Sequence, residues 1–408
     1  MVAEAASVSR RPALAFVVVL GSLSAFGPIS IDMYLPGLPA MAKGFDASAS
    51  AAQLTLTACL VGLAVGQLLA GPLSDRLGRR PPLLLGIAAY SASSLLCALA
   101  PSVEVLTVLR LVQGLTGAAG IVISRAVVRD LYSGRAAASF FSVLMLVNGL
   151  APILAPVIGG QLLKVTSWRG VFVTLAAIGA AMLLSTAAVL RETLPPERRT
   201  AHGLRQTLGR MGALGRDRVF MGYALAAGLA VGAMFCYIAG SPFVLEDIYG
   251  ISPQLFSAVF AVNACGIVAA SQLGRRLLRS VSPRALLYGG LAASAGGGVA
   301  LLCAVAIGGL GVWSVLVPLF VVVSAVGIVM PNATALAMQD HPEMAGSASA
   351  LVGMLQFVVG ALLAPLVGVA GRETALPMAL LMASLGVGGL AAMLRTYPSR
   401  SAHLDASG

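Results

Sequence analysis

The chain has 408 residues, 58% of them hydrophobic and only 10% charged, with a formal net charge of +11. A soluble domain normally carries about 25% charged residues, so this composition excludes a globular surface coated in polar groups. The positive charge does not point to nucleic acid, because it is gathered in the segments between apolar stretches.

A bilayer core of roughly 30 Å takes about 20 apolar residues of helix. Such stretches lie near 14–38, 51–73, 82–101, 105–127, 137–161, 168–190, 219–244, 255–274, 285–307, 312–338, 345–370 and 376–395. They are too long and continuous for the alternating segments of a transmembrane barrel. They predict an all-α integral membrane protein, a bundle of twelve transmembrane helices. The first run follows Arg10 and Arg11 and exceeds the 7–15 apolar residues, roughly, of a cleaved signal, so it is expected to be span 1. With an internal N-terminus, all 26 Lys and Arg fall on the cytoplasmic side except Lys43, Lys164, Arg169, Arg372 and the in-span Arg110. That asymmetry predicts both termini in the cytoplasm.

Span 1 holds Asp32, the one acidic residue placed well inside a span. A charge at the bilayer centre costs about 2.5–3.5 kcal/mol on translocon scales, so Asp32 is expected to face a cavity or a partner. Pro36 removes the helical partner of the Asp32 carbonyl, and Pro28 that of Ser24. Span 1 is therefore expected to be irregular, which a membrane tolerates only where backbone lines protein or water. The competing reading sets Asp32 near the outer interface, about 9 Å from the span end, merely solvated.

The loop after span 2 reads Gly71-Pro-Leu-Ser-Asp75-Arg76-Leu-Gly78-Arg79-Arg80-Pro81. Its glycines permit tight turns, and Asp75 can pair with the nearby arginines or face a helix N-terminus. Span 4 carries Arg110-Leu-Val-Gln113-Gly114-Leu-Thr-Gly117. Arg110 either has a buried role or snorkels to the outer surface. Arg125, Arg129 and Asp130 at the inner end of span 4 suit a structural ion-pair cluster or a substrate role. Span 5 contains Ala155-Pro156-Val-Ile-Gly159-Gly160, small residues that suit close helix packing.

The longest polar stretch, 191–218, is read as a cytoplasmic linker with an interfacial helix around 202–214. It divides the chain into a first six-helix half (1–190), a second (219–395) and a cytoplasmic tail (396–408). Ala-Ala-Gly-Ile-Val at 118–122 recurs as Ala-Val-Gly-Ile-Val at 325–329, a shift of 207. Leu-Ala-Pro-Val-Ile-Gly at 154–159 recurs as Leu-Ala-Pro-Leu-Val-Gly at 363–368, a shift of 209. The near-equal shifts imply two parallel repeats of six helices, as in transporters that rock one half against the other.

Within the spans lie the amides Gln113, Asn148, Asn263, Asn332 and Gln356. A drug site is mostly apolar with a few placed hydrogen-bonding groups, which these fit; bonding between helices explains them equally well. Phe26, Tyr34, Phe235, Tyr237, Phe243 and Phe357 either line a cavity or face lipid and core. The cysteines Cys59, Cys97, Cys236, Cys265 and Cys303 all fall in spans without metal-like spacing. His202, His341 and His403 fall in loops or the tail, and there is no nucleophile elbow or phosphate loop. No enzyme, cofactor or metal is therefore expected, and transport should draw on an ion gradient.

Residues 71–81 resemble the motif between spans 2 and 3 of the major facilitator superfamily, which implies a gate latch built from Gly71, Asp75, Arg76, Gly78, Arg79 and Arg80. The Arg110 stretch resembles that family's second motif and implies a part in proton coupling. Ala155, Pro156, Gly159 and Gly160 resemble its antiporter motif, with Ala155 where many members have Gly. Further stretches resemble the bicyclomycin/chloramphenicol-resistance (Bcr/CflA) branch of drug:proton antiporters. They are Ser30-Ile-Asp32-Met-Tyr34-Leu-Pro36-Gly-Leu-Pro39, Ile123-Ser-Arg125-Ala-Val-Val-Arg129-Asp130, Tyr237-Ile-Ala-Gly-Ser241-Pro242-Phe243, Pro331-Asn332-Ala-Thr334-Ala335, and Ala345-Gly-Ser-Ala-Ser349-Ala-Leu with Gln356. Ile31 departs from the usual Thr.

The resemblance implies a proton-coupled efflux antiporter of the bacterial inner membrane, a functional monomer with its cavity inside one chain. It would export drug-like molecules, bicyclomycin- or phenicol-type antibiotics among them. Asp32 and Arg110 would serve proton coupling; Tyr34, Gln113, Asn148, Tyr237, Asn263, Asn332 and Gln356 would meet substrate. The rivals are an importer of a small metabolite on the same scaffold and a membrane receptor that transports nothing.

Overall fold

The structure, a computed structural model, describes residues 14–132, 134–199, 209, 211–339 and 345–396. The three histidines lie outside these residues, as does most of the expected interfacial helix, of which 209 and 211–214 are helical. Among the described residues every regular element is a helix.

The prolines of span 1 act where expected. Helix α1 (Leu14–Ser24) stops at Ser24, whose carbonyl would have bonded the nitrogen of Pro28. Helix α2 (Phe26–Asp32) stops at Asp32, whose carbonyl loses its partner to Pro36. A 3-10 turn, Leu35–Gly37, then leads into α3 (Leu38–Gly44), and the broken span bends by 49°.

Helices α4 (Ala49–Leu77), α5 (Arg80–Ala98), α6 (Val103–Leu131), α7 (Gly134–Leu162) and α8 (Trp168–Val189) follow. Beyond the linker come α9 (Arg218–Pro242) with a π-helical turn at Phe243–Ile248, α10 (Pro253–Leu277), α11 (Pro283–Ile307) and α12 (Trp313–Gln339). The chain ends with α13 (Ala345–Leu363), a 3-10 turn at Ala364–Gly368, and α14 (Leu376–Thr396). Among the described residues ten helices are long and apolar enough to cross a membrane, and the bent first span, counted as one, makes an eleventh. Helix α7, apolar through Leu146–Leu162, completes the set of twelve.

Several helices begin on a side-chain cap. Ser48 accepts from Ala51 N, Ser102 from Val105 N, Ser252 from Leu255 N and Ser282 from Ala285 N, while Asp217 accepts from Val219 N and Phe220 N. Each cap satisfies backbone donors that the first turn leaves open.

The packing repeats itself six passes on. Helix α4 packs on α6 as α10 packs on α12, α5 on α6 as α11 on α12, and α5 on α8 as α11 on α14. The two sets meet through α7 against α10 and α13 against α4, which are again equivalent pairs. One apolar core joins them, with Tyr34, Leu56 and Phe172 from the first set and Tyr237, Phe256 and Val322 from the second.

Polar bonds between the sets concentrate at one end. Lys43 pairs with Asp247 at 2.5 Å. Ser50 donates to the Pro365 carbonyl (2.9 Å), Gln53 to Ala239 O (3.0 Å) and Thr57 to Ala361 O (3.2 Å). Gln254 donates to Gly160 O at 2.8 Å, and Arg372 donates to Ala47 O.

Candidate functional site

Asp32 ends α2 and is buried, with 6% of its surface exposed. Among the described residues it makes no hydrogen bond and no ion pair. A buried polar group is normally paired, so this carboxyl lacks the partner that a purely structural role would supply. Its place in the break between α2 and α3 is fixed by α7. A Cβ on Gly159 would run into the carbonyl of Met33, the residue after Asp32, so only glycine lets α7 approach there. A Cβ on the neighbouring Gly160 would strike Ser257 Oγ on α10. Gly159 and Gly160 therefore sit where α7 is pressed between the broken span and the second set. Ala155 is buried one turn earlier, and Pro156 lies within the same helix. Asp32 is also within electrostatic reach of Tyr237 on α9.

Arg110 is fully buried rather than snorkelled. Its Nη1 donates to the Ser30 carbonyl (3.0 Å) and to Gln113 Oε1 (2.5 Å). Gln113 Nε2 donates onward to Ser94 Oγ at 2.6 Å. The guanidinium lies 5.1 Å from the Tyr34 ring and 5.6 Å from the Phe172 ring, whose faces attract a cation. Nε and Nη2 have no partner among the described residues. No ion pair joins Arg110 to Asp32; the link is the backbone, since Arg110 grips the carbonyl two residues before it. Ser30 Oγ is bonded to Tyr90 Oη at 2.7 Å, and Tyr34 Oη to Thr55 Oγ1 at 3.1 Å.

The other expected contacts fall into separate groups. Tyr237 Oη accepts from Asn263 Nδ2 (2.8 Å) and its ring stacks on Phe260. Asn148 donates to Ser24 Oγ (3.2 Å) and Leu144 O (2.8 Å), bridging to the bend of span 1. Asn332 donates to Ile328 O in its own helix, and Gln356 donates to Met330 Sδ at 3.3 Å. Tyr34 and Gln113 belong to the arginine's surroundings rather than to the Tyr237 group.

At the far end of α4, Arg79 is the centre of a charged cluster. Its Nη1 donates to Asp75 Oδ1 (2.5 Å) and Ser74 Oγ (2.8 Å), and its Nε to Asp130 Oδ2 (2.8 Å). Burial works against the Arg79 charge, but Asp130 and Asp75 outweigh it and hold the guanidinium above its ordinary range. Gly78 has φ +96°, a conformation that favours glycine. Arg80 donates to Leu190 O and Ala187 O, Arg76 is exposed, and Gly71 is half-buried. Among the described residues the partners of 74–80 lie in the first set of helices or in the stretch just after α8, and none lies in the second set.

Sequence reasoning missed Tyr90, Ser94, Thr55 and Phe172 around Arg110. Serines and a tyrosine in apolar helices are common, and nothing local marks the ones that face a distant arginine. It also missed Glu192, whose only local signal is an acid in an arginine-rich linker.

The Major Facilitator Superfamily matches residues 18–365. The chain is 43% identical over 384 residues to an uncharacterized MFS-type transporter, YdgK, of Bacillus subtilis (strain 168), covering 93% of this chain and 94% of that one. It is 34% identical over 363 residues to a bicyclomycin resistance protein homolog of Haemophilus influenzae, covering 89% and 91%. It is 31% identical over 394 residues to a chloramphenicol resistance protein of Pseudomonas aeruginosa, covering 95% and 92%. Among solved structures, the nucleoside transporter NupG aligns with a TM-score of 0.76 at 13% identity, covering 94% of this chain and all of that one. The xylose transporter XylE of E. coli, in a partially occluded inward-open conformation, gives 0.70 at 14% identity, covering 94% and 97%. Those two likenesses speak to the fold alone.

Proposed function

Because this chain belongs to the Major Facilitator Superfamily and its relatives are named for antibiotic resistance, we propose that it is a proton-coupled efflux antiporter for drug-like molecules. It is a multi-pass membrane transporter and not an enzyme. In the proposed cycle it works as a monomer in the bacterial cytoplasmic membrane, with both termini inside. The two sets of six passes rock about the core they share. The Lys43–Asp247 end is the outer one, closed here, and the Arg79 end is the inner one. Phenicol- and bicyclomycin-type antibiotics are candidate substrates.

The single observation that carries this reading is Asp32. It is a buried carboxyl with no hydrogen-bond or ion-pair partner among the described residues, at a break in span 1, beside the seam where α7 meets the second set. A group that must bind a proton on one side and release it on the other needs such a place, since a permanent ion pair would hold it in one state. When Asp32 faces outward, a proton from the acidic side binds the carboxylate. When it faces inward, the proton leaves and a drug molecule enters the site, to be carried out on the return. Arg110 holds the Ser30 carbonyl and so keeps the broken turn in register. Tyr237, Asn263, Asn332 and Gln356 supply hydrogen-bonding groups on the opposite side of the seam.

The test compares Asp32→Asn and Asp32→Glu with the parent in an efflux-deficient host and in detergent. Asp32→Asn is expected to fold, to lose resistance, and to lose the proton release that chloramphenicol provokes. Asp32→Glu keeps a titratable group about one methylene away and is expected to retain part of both. Resistance and proton release at parental levels in Asp32→Asn would place the coupling site elsewhere. Raised uptake in place of resistance on expressing the parent would favour the importer.

A further inference from the structure

The linker does not begin as a free tether. Helix α8 ends at Val189, and the next residues lie against the turn between α4 and α5. Leu190 and Leu194 are buried. Between them, the Glu192 carboxylate accepts four backbone N–H groups. Two come from the turn, Arg79 N at 2.8 Å and Arg80 N at 3.1 Å. Two come from its own stretch, Thr193 N and Leu194 N, both at 3.0 Å. Gly78 lies directly beneath: a Cβ there would sit 2.6 Å from Glu192 Oε2 and 3.0 Å from Arg199 Nη2. Thr193 Oγ1 donates to Asp130 Oδ2 at 3.2 Å, the oxygen that also accepts from Arg79 Nε.

We infer that Glu192 is a positioning residue: its carboxylate fixes the 78–80 backbone, so that Arg79 can meet Asp75 and Asp130 together, and ties that turn to the linker. The turn needs help of this kind. Gly78 is in a left-handed conformation, and Arg79 and Arg80 open a new helix with N–H groups that have no partner inside it. One carboxylate takes both donors and closes the turn over a glycine that leaves it room. An amide in its place offers one acceptor oxygen and turns an NH2 group toward a backbone donor. Since the linker leads to the second set of helices, movement there bears on the turn through residues 190–199. The role rests on reading 71–81 as a gate, and the test separates the two.

Burial alone would raise the Glu192 carboxyl, but the N–H groups of Leu194, Arg79, Arg80 and Thr193 together outweigh it and hold it below the ordinary Glu range. A depressed carboxyl contributes stability above its unfolded pKa and loses it as pH falls through the folded value. The clasp is therefore intact at neutral pH and released only below the ordinary Glu range.

Hydrogen exchange on the full chain in detergent reads the clasp directly, because Arg79 and Arg80 N–H are its donors. Glu192→Gln is expected to lose protection at 79–80 by about tenfold or more, the loss of bonds to a charged acceptor. It is also expected to slow chloramphenicol efflux by about five- to tenfold while chloramphenicol binding stays within about twofold. Glu192→Asp should recover part of both, and Glu197→Gln, an exposed acid of the same stretch, should change neither. In the parent, the protection at 79–80 should vanish on acidification below the Glu range, and in Glu192→Gln that acid-sensitive step should be absent. Unchanged protection in Glu192→Gln overturns the clasp. Lost protection with normal efflux overturns its part in gating. If the parent itself exports no probe, the transport reading fails, and the exchange result still decides the clasp.

Discussion

The two ends of the bundle are built on different plans. At the Lys43–Asp247 end, the polar groups of one set of six passes bond to the other set: Ser50 to Pro365, Gln53 to Ala239, Thr57 to Ala361. At the Arg79 end the bonding is denser and more charged, yet it stays within the first set and the start of the linker. The first arrangement is a seal, which holds only while the two sets are together. The second is an element of the first set clasped by the start of the linker, so its bonds make no direct contact with the second set, which reaches it only through the linker. In the proposed cycle the seal is made and broken at every turnover, whereas the 74–80 cluster travels as a unit.

Substitutions at three places sharpen that contrast, beginning with the seam between the ends. Gly159→Ala should have the largest effect. The new Cβ would meet backbone at Met33 rather than a flexible side chain, so α7 or the broken span must shift. Overpacking of this sort costs about 1–3 kcal/mol, here beside the proposed proton site, and efflux should fall by more than about tenfold. Gly149→Ala on the same helix, with open space around it, is the control and should be silent. Drug export and thermal unfolding in detergent measure both; equal behaviour of the two variants would remove Gly159 from the account.

Asp75→Asn comes next. It removes one of the two carboxylates on Arg79 but leaves Asp130, Ser74 and Glu192 in place. The Asp75 side chain is 42% exposed, so screening lowers its worth to about 1 kcal/mol. Efflux should drop about fivefold at normal expression, as a shift between states rather than as unfolding. Unchanged efflux would mean that Asp130 suffices and that the Asp75 pair is no latch.

The smallest effect is expected at Lys43–Asp247, where the lysine side chain is 62% exposed. The Asp247 side chain is only 11% exposed, but with the lysine in solvent the pair is worth about 1 kcal/mol and weakens in salt. Lys43→Asp or Asp247→Lys alone should open the seal modestly, seen as faster labelling of a Ser50→Cys reporter by an impermeant thiol reagent. Combining the two reversals should restore slow labelling. Failure of the double reversal to recover would show that the seal rests on its hydrogen bonds alone.

The sequence read differently in different places. In span 1, Pro28 and Pro36 foretold where the helix breaks, because removing an N–H is a local event with a local result. Of the glycines of 71–81, Gly78 makes the expected turn with positive φ for the same reason, whereas Gly71 lies inside α4, which runs on to Leu77. Around Arg110 the text was mute. Gln113 is one turn along the same helix and was visible, but Ser94 (on Gln113), Thr55 (on Tyr34) and Phe172 (on Arg110) come from three other helices and join the group only through packing. Glu192 lies more than a hundred residues from the turn it holds, and no spacing rule connects them.

Composition and periodicity alone determined that this chain lives in a bilayer as a bundle of helices, since a lipid core leaves no other way to satisfy so many backbone groups. They also determined that Asp32 is costly, because the cost depends only on a carboxyl standing in an apolar run. What only the tertiary structure decided is company. Among the described residues Asp32 stands without a hydrogen-bond or ion-pair partner, Arg110 lies between two aromatic rings, Gly159 rests on the break, and Glu192 clasps the turn. Partnership depends on which helix faces lie together at distances of a few ångströms, and a one-dimensional pattern of apolar and polar residues does not encode those faces helix by helix.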